Sequence, residues 1–210
     1  LVRYIESNLE RIIEKQEDRL GIQHFGVPKV LFKQPLWLKT LSQGMAAGLY
    51  SSEEDEIYFP SVSTIDDVHK VKELLDHELG HFYTDKLNES FGRGNWPKYS
   101  DKQTSDDEIG TRLISEGIAE YFRKTMNNGQ DDFKDSDWPE KTEDFYRTDV
   151  IYQGGYHLVK PILDKYGKNG IEYLITNSPL VEDLGNLPAY RTRVLQSLSS
   201  QPKNNNSPDN

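Results

Sequence analysis

Residues 77 to 81 read His-Glu-Leu-Gly-His, which has the residue types and the spacing of a metal centre. If this segment is helical, His77 and His81 lie one turn apart on one face, so both imidazoles can bind one ion. Glu78 is rotated by about 100° around the helix axis from His77. It therefore lies beside such an ion, where it can take a proton from an activated water and pass it to a leaving group. The alternative is a solvated helix face that carries two histidines and no metal.

A catalytic zinc site needs a third protein ligand and an open position, and an acidic pair further along the chain can supply the ligand. Residues 115 to 122 read Ser-Glu-Gly-Ile-Ala-Glu-Tyr-Phe, which places Glu116 and Glu120 one helical turn apart on the same face. Gly117 and Ala119 are small, so a helix here can approach another helix closely. Two solvated glutamates on the surface of an acidic protein remain the simpler interpretation of these residues alone.

The two motifs together resemble the gluzincin group of metallopeptidases, which includes thermolysin-like enzymes and related aminopeptidases. The resemblance implies that His77, His81 and Glu116 bind one zinc ion per chain. It also implies that Glu78 is the general base of a hydrolase. Thermolysin-like members have a carboxylate four residues after the glutamate ligand, and this carboxylate holds a ligand histidine by a hydrogen bond. Glu120 matches that position.

The resemblance covers the stretch from Gly48 to about Phe122. The interval between His81 and Glu116 is longer than in compact gluzincins, and a polar loop between the two helices accounts for the excess. In zincins generally, a strand before the HExxH helix binds an extended peptide by adding it to the sheet. A predicted hairpin occupies that place in this chain, although an ordinary edge strand would have the same sequence.

Gluzincins also use a hydrogen-bond donor that stabilises the tetrahedral oxyanion, and the candidates lie in residues 146–157. This segment reads Tyr-Arg-Thr-Asp-Val-Ile-Tyr-Gln-Gly-Gly-Tyr-His. Tyr152 best matches the place of the oxyanion tyrosine in several gluzincin families. Tyr156 and His157 are the alternatives, and His157 is similar to the neutral histidine donor of thermolysin-like enzymes. Each candidate also has a structural interpretation, as a buried tyrosine or as a capping histidine.

Helices and a hairpin must place these residues. Apolar residues at helical spacing predict three helices, over residues 1–19, from 63 or 64 to about 88, and 107–126. Val68, Val71, Leu75 and Phe82 form the predicted buried stripe of the second helix. Three short strands are predicted, at residues 27–32, 46–50 and 56–59, and the last two are joined by a polar turn as a hairpin.

The second half of the chain is predicted to be helical, over residues 143–166, 170–176 and 181–199. Pro161 is expected to kink or to start a helix, because it lacks a backbone N–H. Residues 89–107 read as a long polar loop, and such loops in compact domains are often functional. The tail at 201–210 is polar and is predicted to be disordered.

The composition limits the possible functions. A formal net charge of −10 repels phosphate backbones and argues against a nucleic-acid partner. No apolar run approaches the roughly 20 residues that a membrane-spanning helix needs. The chain contains no cysteine, which excludes disulfides, thiolate metal sites and a cysteine nucleophile.

The sequence therefore predicts a single α+β, zincin-like domain over residues 1–200. A small mixed sheet and the active-site helix form its first part, to about residue 88, and a helical part follows from about 107. The predicted function is a zinc-dependent peptidase that acts on a peptide or protein substrate. A zincin-like scaffold without turnover is one alternative, and a helical interaction protein with an accidental pentad is another. The chain begins with Leu1 rather than Met, so we expect a missing upstream segment. The compartment (cytoplasmic or secreted), the oligomeric state and endo- versus exopeptidase action stay open.

Overall fold

A computed structural model of the chain describes residues 2–33, 48–60, 68–91 and 106–200. Within these ranges the fold is α+β, as predicted, with a three-stranded sheet beside a larger set of helices. The strands are β1 Lys29–Lys33, β2 Leu49–Ser51 and β3 Glu56–Pro60. The α-helices are α1 Val2–Leu20, α2 Val68–Ser90, α3 Asp106–Met126, α4 Gly155–Thr176, α5 Val181–Leu184 and α6 Leu187–Ser200.

The sheet has the order β1-β3-β2, with β1 parallel and β2 antiparallel to the central strand β3. Ile57 and Phe59 of β3 are fully buried, and because they are two residues apart they face the same side of the sheet. The predicted hairpin is confirmed, since β2 and β3 are consecutive and paired. The first strand was predicted two residues too early, because β1 begins at Lys29.

The hairpin lies over α2, which is the helix that carries the pentad. The ring of Tyr50 meets Phe82 edge-on, with 5.9 Å between the ring centroids. The hydroxyl of Tyr50 lies 2.9 Å from a carboxyl oxygen of Asp55 and 3.1 Å from one of Asp85, which is on α2. Lys86, also on α2, binds the other oxygen of Asp55 at 2.7 Å. The hairpin is therefore attached to α2 by both an aromatic contact and a polar chain.

Helices α2 and α3 approach each other at Gly80. A Cβ atom placed on Gly80 would lie 2.6 Å from the Cα of Ala119, so a side chain at position 80 would force the two backbones apart. One turn further along, the rings of Tyr83 and Phe122 stack with centroids 5.3 Å apart. The predicted buried stripe of α2 is confirmed at Val71, Leu75 and Phe82, which are at most 2% exposed. The side chain of Val68 lies outside the described part of the chain. Leu79, which was not predicted to belong to the stripe, is also fully buried.

Helix α1 packs against α2 and α4 and ends, as predicted, before Gly21, whose φ of 65° suits glycine. Its buried side chains include Ile5, Leu9 and Ile13. Gln16 donates a hydrogen bond of 2.8 Å to the buried carboxyl of Asp76 on α2. In the described part of the chain, no helix is both long enough and apolar enough to cross a lipid bilayer.

One continuous helix was predicted over residues 143–166, but the structure has separate elements before α4. A 3-10 helix spans Thr142–Tyr146, a π-helical turn spans Val150–Gly154, and α4 begins only at Gly155. The predicted break after residue 166 is present as a kink in α4 at Gly167, where φ is 50°. Pro161 lies inside α4 and neither starts nor ends it.

The predicted helix 181–199 is two helices. Asn186 accepts a hydrogen bond through its side-chain oxygen from the N–H of Ala189, at 3.1 Å, and so caps the start of α6. Pro188 follows in the first turn of α6, where a missing N–H costs nothing. Four further predictions lie outside the described residues: the strand start at 46–47, the helix start at 63 or 64, the loop over 92–105 and the tail at 201–210.

The crossing of α2 and α3 generates a first prediction. Replacing Gly80→Ala should lower the free energy of unfolding by about 1–3 kcal/mol, because the added methyl group collides with the backbone of α3. Denaturant unfolding measures the change. Gly185→Ala is the matched control, since the nearest atom to its added methyl group is 3.9 Å away, and its effect should stay within about 0.5 kcal/mol. Equal effects of the two substitutions would contradict this account of the crossing.

Candidate metal centre

The crossing of α2 and α3 brings together the two histidines of the pentad and Glu116. One possible ligand atom from each of the three residues lies within 4.8 Å of the other two. Oε2 of Glu116 is 3.4 Å from Nε2 of His77 and 3.5 Å from Nε2 of His81. The two imidazole rings are nearly perpendicular, at 84°, with centroids 4.9 Å apart. In both imidazole rings, therefore, Nε2 is the nitrogen that faces this oxygen of Glu116.

These distances fit a tetrahedral ion. Ligand bonds of about 2.1 Å place neighbouring ligand atoms roughly 3.4 Å apart, which is close to the two measured separations. Oε2 of Glu116 is also buried, and it makes no hydrogen bond within the described part of the chain. Buried carboxylate oxygens are normally paired, so this oxygen is available to bind a cation. The residues present therefore fit a divalent metal ion.

The outer nitrogen of each histidine has its own partner. Nδ1 of His77 is 3.1 Å from Oε1 of Glu120, and the guanidinium of Arg123 holds the other oxygen of Glu120 at 2.5 and 3.1 Å. Nδ1 of His81 is 3.3 Å from the hydroxyl of Ser115. Partners at Nδ1 orient a ligand histidine so that Nε2 faces the metal.

Glu120 therefore lies where the resemblance placed it, but sequence reasoning missed Arg123 and Ser115. The spacing from Glu120 to Arg123 is i to i+3, which is a readable signal for an ion pair on a helix. Ser115 precedes Glu116 directly, and no spacing rule singles it out. Its role becomes visible only when α3 is placed against α2.

The electrostatics of the cluster favour a positive charge. Burial opposes a charged imidazole at His77, but the nearby carboxylates of Glu116 and Glu120 outweigh burial and raise the pKa of His77 to about 10. Burial would also raise the pKa of Glu116, yet the charges of the two histidines hold it well below its usual range. A site that stabilises a proton this strongly between buried carboxylates is suited to a cation.

Glu78 lies beside the cluster, under the hairpin. A Cβ atom on Gly48 would come within 2.8 Å of Oε1 of Glu78, so a side chain at position 48 would displace this carboxyl. The backbone N–H of Tyr50, on β2, donates a hydrogen bond to Glu78. Burial raises the pKa of Glu78, although the charges of His77 and His81 partly offset the effect. A carboxyl with a raised pKa near a metal site suits proton transfer.

Tyr152 is the oxyanion candidate that the structure brings to the cluster. Its ring stacks on the imidazole of His77, with 5.8 Å between centroids and 18° between planes. Tyr156 is buried and packs against Tyr121 instead, with 6.5 Å between centroids.

His157 is engaged elsewhere. Its Nδ1 is 2.8 Å from Asp131, and its Nε2 is 3.0 Å from Asp135, which also binds Arg191. Both ring nitrogens thus face carboxylates of the loop between α3 and the π-helical turn. The expectation that His157 donates to an oxyanion receives no support from these contacts.

A cavity of about 620 Å³ lies next to Arg123 rather than next to the three possible metal ligands. Within the described ranges, its lining includes Glu73, Arg123, Lys124 and Gln153, but none of the three possible ligands. Arg123 binds the oxygen of Glu120 that does not contact His77, so the cavity is reached from Nδ1 of His77 through Glu120 and Arg123. The possible metal ligands meet at Nε2 of His77, on the opposite edge of the same ring.

Comparisons of the chain with protein-family models, with curated proteins and with solved structures found no match. What the protein does must therefore be inferred from its own residues. The class that those residues define is a helical site with two imidazoles and one carboxylate as possible metal ligands. A second buried carboxyl, that of Glu78, adjoins the site.

The geometry generates a prediction about the two glutamates of α3. Glu120→Ala should weaken zinc binding by roughly 10- to 100-fold, because it removes the partner that orients His77. Glu116→Ala should weaken it further, because a ligand is lost. Competition with a chromogenic chelator measures both affinities. Glu172→Ala, which removes only a half-buried partner of Lys168 on α4, should leave the affinity unchanged. A larger loss at Glu120 than at Glu116 would reverse the assigned roles.

Proposed function

We propose that the chain is a zinc-dependent peptidase of the gluzincin type, with His77, His81 and Glu116 as the zinc ligands and Glu78 as the general base. The observation that carries the proposal is the buried oxygen of Glu116, which has no hydrogen bond to any described residue and lies 3.4 and 3.5 Å from two imidazole nitrogens. Two imidazoles and one carboxylate form a donor set that suits zinc, and three protein ligands leave a position for solvent or substrate.

Zinc, when bound, supplies a Lewis acid that lowers the pKa of water and polarises a carbonyl group. The carboxylate of Glu78 then accepts a proton from the attacking water and delivers it to the nitrogen of the leaving amine. Burial supports both steps, because the raised pKa of Glu78 makes it a stronger base than an exposed glutamate and still lets it return the proton. The N–H of Tyr50 fixes the carboxylate while the proton moves.

Tyr152 serves as the donor to the oxyanion that forms when the carbonyl is attacked. Burial, together with the negative charge of Glu116, raises the pKa of Tyr152 and keeps its hydroxyl protonated. Its ring rests on His77, so the hydroxyl is carried on a side chain that already contacts the site. A fixed donor beside the scissile carbonyl stabilises charge that develops only in the transition state.

The hairpin supports a peptide as the substrate. In the described part of the sheet, β2 pairs with β3 on one side only, and Gly48, which precedes β2, and Tyr50, within it, adjoin Glu78. An extended peptide that adds to the free side of β2 would therefore run past the general base. Backbone hydrogen bonds along a strand would bind peptides of many sequences.

Metal content is the first test. Protein purified without added metal should contain about one zinc ion per chain by elemental analysis, because the donor set is buried and complete. Removal of the metal with a chelator should lower the midpoint of thermal unfolding, since a ligand that binds only the folded state stabilises it. Protein that contains no zinc, and that zinc does not stabilise, would contradict the proposal.

The second test separates binding from catalysis. Glu78→Gln should retain one zinc per chain and lower the rate of peptide hydrolysis by at least roughly 100-fold, because the amide cannot accept the proton. Cleavage of a mixed peptide library, read by mass spectrometry, provides the assay. Glu89→Gln, at an exposed position of the same helix, is the matched control and should keep full activity. Zinc-loaded unmodified protein that cuts no peptide would favour a metal-binding scaffold without turnover.

A further inference from the structure

The π-helical turn Val150–Gly154 places Tyr152 at the candidate metal centre, so what holds this turn also determines where the tyrosine lies. Such turns occur mostly as single insertions in helices and frequently at functional sites. On one side the turn contacts α3, which carries Glu116, and on the other it contacts the segment between α3 and the turn, which carries Trp138.

Two glycines at the end of the turn determine how close it comes to its neighbours. A Cβ atom on Gly155 would lie 2.6 Å from the backbone oxygen of Leu113 on α3, and one on Gly117 would lie 2.4 Å from the oxygen of Gly155. Gly154 lies against the indole ring of Trp138, where a Cβ atom would come within 2.7 Å. These contacts allow a close approach, but a glycine has no side chain that interlocks with a neighbour. They do not by themselves fix the direction in which Tyr152 points.

Lys124 provides a directional contact. It lies on α3 and is only 8% exposed. Its Nζ donates hydrogen bonds to the side-chain oxygen of Gln153, at 2.5 Å, and to the backbone oxygen of Gln130, at 2.8 Å. The same ammonium group lies 4.5 Å from the ring centroid of Tyr156. Lys124 thus joins α3 to the turn, to the preceding loop and to the first turn of α4.

The charge of Lys124 and its hydrogen bonds have different partners. Three carboxylates act on the ammonium group through space, those of Glu120, Asp131 and Asp132. The hydrogen bonds go instead to two neutral amide oxygens, and hydrogen bonds depend on direction. An apolar side chain would fill this space but could donate neither bond. A lysine that binds the residue next to Tyr152 therefore supplies orientation in addition to packing.

We infer that Lys124 is a positioning residue, which sets the rotation of the turn through Gln153 and so holds the ring of Tyr152 against His77. Because Gln153 is the next residue along the chain, fixing its side chain fixes the direction of Tyr152. The effect of Lys124 on catalysis rests on the proposed function, whereas its effect on the position of the Tyr152 ring does not.

The position of the Tyr152 ring is tested by nuclear magnetic resonance of the His77 imidazole. The chain has five histidines, so their ring protons can be resolved and assigned by substitution. A stacked tyrosine ring shields the protons of the imidazole beneath it. Lys124→Met keeps an unbranched side chain that is one atom shorter, and it removes the N–H donors. The His77 signals of this variant should move to the position that they have in Tyr152→Leu.

Lys168→Met is the matched control, because the partner of Lys168 is a carboxylate on the same helix, and it should leave the His77 signals unchanged. If Lys124→Met does not fold, Gln153→Leu removes the same hydrogen bond from its other end and is read in the same way. A folded variant without this hydrogen bond, but with unshifted His77 signals, would overturn the inference.

The effect of Lys124 on catalysis is tested with zinc-loaded protein. Tyr152→Phe should lower kcat by about 100-fold, as expected for the loss of one oxyanion donor. Lys124→Met should lower kcat by at least tenfold with KM nearly unchanged and one zinc still bound, whereas a general loss of structure would also reduce zinc binding. The double variant Lys124→Met/Tyr152→Phe should be no slower than Tyr152→Phe alone. Losses that multiply would overturn the positioning role. If unmodified protein hydrolyses nothing, the proposed function fails, and the His77 signals still decide whether Lys124 orients Tyr152.

Discussion

Helices α2 and α3 meet so closely at Gly80 and Ala119 that no side chain separates their backbones. Gly80 lies within the pentad, between Glu78 and His81, and Ala119 lies between Glu116 and Glu120. The contact that joins the helices is therefore also the contact that spaces the possible ligands. A larger residue at either position would move two imidazoles away from one carboxylate. The spacing of the possible metal ligands and the packing of the core are therefore set by the same contact.

The first half of the fold and the three possible ligands were predictable from the sequence because their signals are local. Apolar residues at helical spacing define α1, α2 and α3, and two short apolar runs around a polar turn define the hairpin. Helical spacing also places His77 with His81, and Glu116 with Glu120. That the two pairs meet was predictable only through the gluzincin resemblance, since the meeting depends on how two helices pack.

The segment before α4 was predicted less well because its conformation is decided by distant contacts. Gly155 packs on Leu113 of α3 and Gly154 on the ring of Trp138, and no periodicity in residues 143–166 reports either contact. The break between α5 and α6 differs, since Asn186 and Pro188 carried a readable signal for a new helix start. The orientation of His157 toward Asp131 and Asp135 likewise depends on a loop that sequence spacing does not place.

The polar chain that attaches the hairpin to α2 brings two carboxyl groups to one hydroxyl. The hydroxyl of Tyr50 has a single proton to donate, yet it lies within hydrogen-bond distance of both Asp55 and Asp85. Burial raises the pKa of Asp85, whereas Asp55 is more exposed and binds Lys86. A carboxyl whose pKa is raised by folding favours the folded state at low pH and opposes it as the pH rises. Mild acid breaks ordinary ion pairs by neutralising their carboxylates, but at Asp85 an added proton would give the Tyr50 oxygen a donor and so favour this joint.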